Sequence, residues 1–381
     1  MSPIKWLNIF LIIENISGIY RNYSEQTKFK KYLIILQILV QNLVYAFIII
    51  CVLYIFLNKD SYGVIWNLRY SYCGFVAVNH MNYLVSVVNG ITYSHTFASC
   101  YMSITRVYES FKSHKELIHS LKTTRYWASI VFNLYASIFC CSRSRKIFQR
   151  YFILKNISAV FAVQILASET IIRSTIVFEH FVLFIVVMTI VDLSKTLISL
   201  MVEAQQRVHR CGTSEVITGE TINRWVELYQ ELVNCCDKVA VCFRTQYISF
   251  LTITIMHFII LIYYVTYSRI LRIENYSDVI EVLMIVIIYI IMMLMPIIAT
   301  QMASNQWVRC QRVMARLHNS IIEDVDTTER KMVKDFLRVI KKHPLHIRFM
   351  SKVPVGIFLL PAILTVVVNY VIVLLQFNHV V

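Results

Sequence analysis

The 381-residue sequence has few of the residues that interrupt helices or face water. It contains only 7 glycines and 5 prolines, and charged residues make up 15% of the chain. Scarce turn residues argue against a β-rich fold. A soluble domain carries about 25% charged residues, so the low charge also argues against a soluble protein of this length. Apolar residues occur in blocks and not in alternation, which excludes an outer-membrane barrel.

Motifs for catalysis and for metal or cofactor binding are also missing. We find no Walker loop, His-Glu-x-x-His motif, nucleophile elbow or zinc cluster. The ten cysteines include no pair with CxxC spacing. We interpret them as small buried hydrophobes or reduced thiols. The sequence therefore predicts a protein that is not an enzyme and that has no cofactor.

The chain is rich in long apolar runs. Hydrophobic residues make up 57% of it. A hydrocarbon core of about 30 Å needs about 20 helical residues, because backbone groups find no water partners in lipid. Five uncharged stretches are long enough, which predicts an all-α integral membrane protein. These stretches are residues 32–57, 71–95, 245–267, 282–304 and 353–377.

The middle of the chain offers three further apolar stretches, at residues 127–142, 152–172 and 181–202. All three cannot cross the membrane without reversing everything that follows. Basic residues favour the last two, because a crossing at 127–142 would put the basic cluster at residues 143–150 outside. We therefore expect residues 127–142 to form an interfacial helix on the cytosolic side, and residues 173–180 to form an outer loop.

This choice gives seven spans in one domain, with a cytosolic N-terminus and an extracellular C-terminus. The net charge of +15 is then a topology signal from basic inner loops and not a sign of nucleic acid binding. Residues 1–31 are interpreted as an uncleaved amphipathic segment, because no small-residue cleavage site follows their apolar run. Residues 327–341 predict an amphipathic cytosolic helix that is capped by Thr327 or Thr328.

A short motif ends the last predicted span. Asn369 and Tyr370 are followed by five hydrophobic residues and then by Gln376 and Phe377. This pattern resembles the signature of insect gustatory receptors, which is Thr-Tyr, five hydrophobic residues and Gln-Phe. Asn369 is the one departure, and it replaces one small hydrogen-bonding residue by another. The length, the seven spans and the inward N-terminus also fit the seven-transmembrane insect chemoreceptor superfamily.

The resemblance implies a function and a place for it. It implies a ligand-gated cation channel subunit for small-molecule tastants, with bitter compounds as one class, in the plasma membrane of a chemosensory neuron dendrite. Four subunits, identical or from several gustatory receptors, would each add the last helix to a central pore. Asn369, Tyr370, Gln376 and Phe377 would line the pore or its gate. From physics alone, Gln376 and Asn369 could equally join helices by hydrogen bonds.

Uncharged polar residues in the predicted spans are candidates for the ligand pocket that the family holds within its helix bundle. In the second span, Asn82, Ser86 and Asn89 recur at helical spacing and share one face. Hydrogen bonding between helices is the equally good alternative for this face. The full set of candidates is Asn79, Asn82, Ser86, Asn89, His257 and Tyr264.

Two further features concern single sites. Asp192 and Lys195 lie three residues apart in the predicted fourth span and form a candidate intramembrane charge pair, whose role is functional or only stabilising. Asn275 begins a glycosylation sequon in a predicted outer loop.

The sequence leaves two alternatives to a gustatory receptor open. The first is a receptor of the related odorant type, and the second is a polytopic transporter. We find neither the internal repeats nor the broken spans that are typical of transporters.

Overall fold

The computed structural model describes residues 3–58, 66–111, 159–211, 217–270, 276–321, 327–349 and 359–377. These parts of the chain contain α-helices, one 3-10 turn and no strand, which confirms the all-α prediction. The nine α-helices of the described residues are α1 (Pro3–Ile16), α2 (Lys28–Asn58), α3 (Trp66–Thr92), α4 (Ser94–Phe111), α5 (Ala159–Cys211), α6 (Gly219–Ile270), α7 (Tyr276–Ser320), α8 (Thr327–Lys342) and α9 (Leu359–Phe377).

Five predicted spans fall on helices. Residues 32–57 and 71–95 correspond to α2 and to α3 with the start of α4, residues 245–267 and 282–304 lie inside α6 and α7, and residues 353–377 end with α9. The amphipathic helix predicted at 327–341 is α8. Its apolar face packs inward through buried Val333, Phe336 and Ile340.

The prediction for the middle of the chain was wrong in one respect. Residues 173–180, which we expected to form an outer loop between two spans, lie inside α5, a single helix of 53 residues. The charges of Arg173 and Glu179 interrupt the apolar pattern without interrupting the backbone. A continuous helix crosses a bilayer once, so residues 152–172 and 181–202 are not two antiparallel spans. Residues 127–142 lie outside the described residues.

Three helices are much longer than a membrane is thick. α5, α6 and α7 contain 53, 52 and 45 residues, which at 1.5 Å per residue is about 70–80 Å. Among the described residues, three stretches are long and apolar enough to cross a membrane, and they lie in these helices. These helices contact one another, α5 most extensively with α7, and α1, α4, α8 and α9 pack around them.

The N-terminal segment is folded back into the bundle. α1 ends in a Schellman motif, in which Gly18 N–H donates to the carbonyl of Asn15 (3.1 Å) and Ile19 N–H donates to that of Glu14 (2.9 Å). Gly18 has a φ of 91°, a conformation that glycine adopts without strain. Gly90 of α3 lets Ile19 approach closely, because a Cβ at Gly90 would lie 2.9 Å from Ile19 Cγ2.

Candidate functional site

A buried polar cluster joins the N-terminal segment to α3, α5 and α6. Its centre is the guanidinium of Arg21, which is 2% exposed. Arg21 Nε and Nη2 donate to the carboxylate of Glu14 at 2.9 and 3.2 Å, and Nη2 donates to Gln246 Oε1 of α6 at 3.2 Å. Glu179 of α5 lies 3.6 Å from Nη2. We call Glu14, Arg21, Glu179 and Gln246 the Arg21 cluster.

Aromatic rings enclose the same guanidinium. Arg21 Cζ lies 4.3 Å from the ring centroid of Phe243 and 5.5 Å from that of Phe97. A guanidinium over an aromatic face is attracted by the ring quadrupole, and the attraction is strongest where water is excluded. The ion pairs and the rings together compensate for the desolvation of this buried cation.

The predicted polar face of α3 meets this cluster. Ser86 donates a hydrogen bond to Glu179, and Asn89 Nδ2 donates to the carbonyl of Cys242 at 2.8 Å. One turn further along α3, Asn82 Oδ1 accepts from Ser249 of α6 at 2.8 Å. The shared face that the spacing predicted is therefore real. In this structure its three residues bond α3 to α5 and α6, as the alternative interpretation expected.

The structure describes the other ligand candidates only in part. Asn79 is buried in α3, less than one turn from Asn82 toward the start of the helix. His257 and Tyr264 lie in α6, and their side chains are outside the described part of the chain. Asn275, the predicted glycosylation site, is also outside it.

The predicted charge pair in the fourth span forms within α5. Lys195 Nζ donates to Asp192 Oδ1 at 3.1 Å, and Asp192 is 1% exposed while Lys195 is 35% exposed. Asp192 lies thirteen residues beyond Glu179, which is about 20 Å along the helix axis. The pair therefore lies well away from the Arg21 cluster and has no contact with it.

One turn of α6 holds the segment that leads to the last helix. Arg244 Nε donates to the carbonyl of Phe349 at 3.0 Å, and the ring of Tyr247 stacks on that of Phe349 at 4.7 Å. These two residues flank Gln246 of the Arg21 cluster. Phe349 precedes the start of α9 by ten residues.

The same segment is held from α7 as well. The indole N–H of Trp307 donates to the carbonyl of Ile340 at 2.9 Å, and its ring packs edge-on against His346 at 4.9 Å. Burial, with a smaller contribution from Arg348, lowers the pKa of His346, which favours the neutral imidazole.

α9 has one narrow packing face. Its buried residues recur every four positions and face α6; they are Ile363, Val367, Val371 and Leu375. Asn369 and Gln376 are exposed, and at about 100° per residue they lie about 160–180° around the helix from the middle of that face. Thr365 is exposed on the same side, and Tyr370 is 58% exposed. Phe377 ends the helix, and its side chain is outside the described part.

Comparison with known proteins decides the family. A model of the 7tm chemosensory receptors matches residues 21–379, which is nearly the whole chain. The chain belongs to the insect 7tm chemosensory receptor family. No curated protein sequence matches it. The resemblance that the motif and the spans indicated is thereby confirmed for the family.

Solved structures agree with this receptor's fold. The insect olfactory receptor OR5 from Machilis hrabei in complex with eugenol superimposes with a TM-score of 0.74 over 98% of each chain, at 12% identity. A second structure of that olfactory receptor gives a TM-score of 0.71, again over 98% of each chain, at 13% identity. At such low identity the likeness extends to the fold alone.

Membership of the family shows whether the protein is a channel, an enzyme or a transporter. Its members are ligand-gated channels and not enzymes, and its insect receptors bind small molecules and assemble as tetramers. The receptor is accordingly a multi-pass membrane protein of the chemosensory class. This excludes the transporter alternative.

Sequence reasoning missed the centre of the cluster in this receptor. Glu179 was placed in an outer loop, and Arg21 lay within the N-terminal segment of residues 1–31 with no partner assigned to it. A signal was present, because Glu179 is an acidic residue within an otherwise apolar run, where an ionised group needs a partner. That partner lies 158 positions earlier in the sequence, so spacing could not identify it.

Proposed function

We infer that the receptor is a gustatory-type subunit of a ligand-gated cation channel, in which α9 lines the pore. The observation that carries this proposal is the arrangement of α9, whose polar residues lie opposite its packing face. The motif that runs from Tyr370 to Phe377 favours the gustatory type over the odorant type. The assembly is a tetramer of this chain, alone or with other gustatory receptors, in the dendrite membrane of a chemosensory neuron.

The physics of an exposed polar stripe supports the pore. Asn369 and Gln376 on the surface of a helix that faced lipid would leave amide groups without hydrogen-bond partners, at a cost of a few kcal/mol each. Water in a pore, or the same side chains in neighbouring copies, would satisfy them. Thr365 extends this stripe by one turn toward the cytosol. A ring of Phe377 side chains beside Gln376 would be apolar enough to gate by dewetting.

We place the inner membrane surface at the level of the Arg21 cluster, because the helix lengths beyond the cluster fit a bilayer. From Glu179 back to Ala159, α5 has about 20 residues and spans about 30 Å; from Gln246 to Ile270, α6 spans about 36 Å. Both lengths match a hydrocarbon core of about 30 Å. Arg21 and the basic residues near it then lie at the cytosolic surface. Asp192 and Lys195 would lie in the cytosolic extension of α5 and not within the lipid.

This level changes the proposed topology but keeps the two ends. With Cys211 inside and one crossing by α5, Ala159 lies outside, whereas Phe111 lies inside at the end of α4. We therefore propose that Phe111 and Ala159 lie on opposite sides of the membrane. Seven crossings, an inward N-terminus and an outward C-terminus are retained.

The ligand pocket is proposed in the outer half of the bundle, above the Arg21 cluster. Asn79, His257 and Tyr264 are on the outer side of the residues that bond α3 to α5 and α6. They remain the candidates for contact with a tastant. Asn82, Ser86 and Asn89 are assigned to helix bonding, because each has a partner in a neighbouring helix.

The pore assignment is tested by conductance. The receptor is expressed in oocytes, alone and with other gustatory receptors, and currents are recorded with eugenol, sucrose, caffeine and denatonium as probes. We expect Gln376→Ala to change single-channel conductance or relative cation permeability. Leu364→Ala, which removes an exposed side chain about 120° from the polar stripe, is the matched control and should leave both unchanged. Unaltered conductance and permeability in Gln376→Ala at normal surface expression would contradict the assignment.

A further inference from the structure

The Arg21 cluster is more than a local ion pair. It brings together the N-terminal segment, α5 through Glu179 and α6 through Gln246, with α3 attached through Ser86. Each of its charged groups is at most 2% exposed. Three buried charges are expensive to assemble, and apolar residues of similar volume are often as stable or more so. The cluster therefore calls for a reason other than stability.

Its position suggests that reason. Gln246 accepts from Arg21 and lies between Arg244 and Tyr247, the two residues that grip Phe349. A continuous set of contacts thus leads from the N-terminal segment, through one turn of α6, to the segment that precedes α9. Apart from the backbone of that turn of α6, its steps are hydrogen bonds, an ion pair and a ring contact, and the residues that make them are buried except for Arg244, which is exposed.

The N-terminal segment is also held firmly enough to act as a fixed point. Tyr83 of α3 donates to the carbonyl of Ser17 at 2.8 Å, and Ile19 is completely buried against α3 at Gly90. The Schellman motif at Gly18 sets the reversal that brings Arg21 back to Glu14. Arg21 is therefore presented to α5 and α6 from a rigid base.

We propose that Arg21 is a positioning residue for gating, which couples the end of α3 and the middle turns of α5 and α6 to the Phe349 segment and so to α9. The proposal rests on the proposed channel function. Arg21 lies apart from both the proposed ligand pocket and the proposed pore, so its effect on gating is indirect. It keeps the turn of α6 at Gln246 in register with α3 and α5, so that a movement of those helices shifts Phe349 as well.

A double-mutant cycle tests the coupling, because residues on one contact path give non-additive effects and independent residues give additive ones. Arg21→Met, Phe349→Leu and the double variant are compared by the half-maximal concentration of the most active compound among eugenol, sucrose, caffeine and denatonium. Surface expression is measured by biotinylation of intact cells. We expect each single variant to shift that concentration by about 2- to 30-fold, and the double variant to shift it no further than the larger single effect.

Arg21→Met removes a buried cation and leaves two carboxylates, so it could fail to fold. Gln246→Leu is the second variant, because it cuts the bond from Arg21 to α6 while the Arg21–Glu14 ion pair remains. It should show the same non-additivity with Phe349→Leu. Arg106→Met is the matched control: it breaks a cytosolic Arg–Glu pair of 3.0 Å between α4 and α6 whose arginine is 72% exposed. It should leave the half-maximal concentration within about twofold, because exposed pairs contribute little.

The possible results separate the two proposals. Additive effects of Gln246→Leu and Phe349→Leu, in a receptor whose wild type responds, would overturn the coupling and leave the channel intact. A wild type that reaches the surface and carries no current with any probe or partner receptor would overturn the proposed function, and the coupling with it.

Discussion

Arg21 and Glu14 form a two-point ion pair across a chain reversal, with Nε–Oε2 and Nη2–Oε1 distances of 2.9 and 3.2 Å. They are seven residues apart, and both side chains are buried. The pair can form only because Gly18 turns the chain between them. The backbone at one glycine thus determines whether the guanidinium reaches α5 and α6.

The first prediction concerns that glycine. Gly18→Ala places a Cβ at a φ of 91°, which costs an L-residue about 1–2 kcal/mol. The same Cβ would lie 2.9 Å from the hydroxyl of Tyr83 and 2.7 Å from Gln41 Oε1, so these groups must move. We expect a lower melting temperature of the detergent-solubilised protein, measured by tryptophan fluorescence.

Gly219→Ala provides the control for this experiment. Gly219 begins α6, and a Cβ there would meet only Met332 Sδ, at 3.2 Å, which belongs to a side chain that can adapt. Its melting temperature should stay close to that of the wild type. Equal melting temperatures of Gly18→Ala and Gly219→Ala would contradict the prediction, because they would show that an L-residue is tolerated at position 18.

The second prediction concerns topology. An epitope inserted directly before Ala159 should bind antibody on intact cells, because we propose that α5 runs from outside to inside. An epitope inserted after Cys211 should bind only after permeabilisation, which makes it the matched control at the other end of the same helix. Labelling of the first epitope only after permeabilisation would contradict the proposed direction of α5.

Much of the fold could be predicted from the sequence where a helix depends on local pattern alone. Residues 32–57 form α2 because they contain no charge and are long enough to span. α8 runs from Thr327 to Lys342 because its apolar residues keep helical spacing. The seven-residue spacing of Asn369 and Gln376 likewise predicted that they share a face.

The parts that sequence reasoning missed depend on contacts between distant residues. Glu179 interrupts an apolar run, and hydropathy alone therefore suggested a loop. In the structure its charge is met by Arg21, so the helix continues through it. The polar face of α3 was visible from spacing, but its partners Cys242 and Ser249 were not, because nothing in the sequence relates the rotation of α3 to that of α6.

The pore is tested most directly by cysteine accessibility along α9. Asn369→Cys places a thiol on the polar stripe, and Leu364→Cys places one on an exposed position about 140° away. Each variant, with the wild type as the measure of native cysteine reactivity, is treated with a charged methanethiosulfonate while the most active probe is applied. Only a thiol in water ionises and reacts. We predict that the reagent blocks the current of Asn369→Cys and spares Leu364→Cys and the wild type; block of Leu364→Cys with no effect on Asn369→Cys would contradict a pore lined by α9.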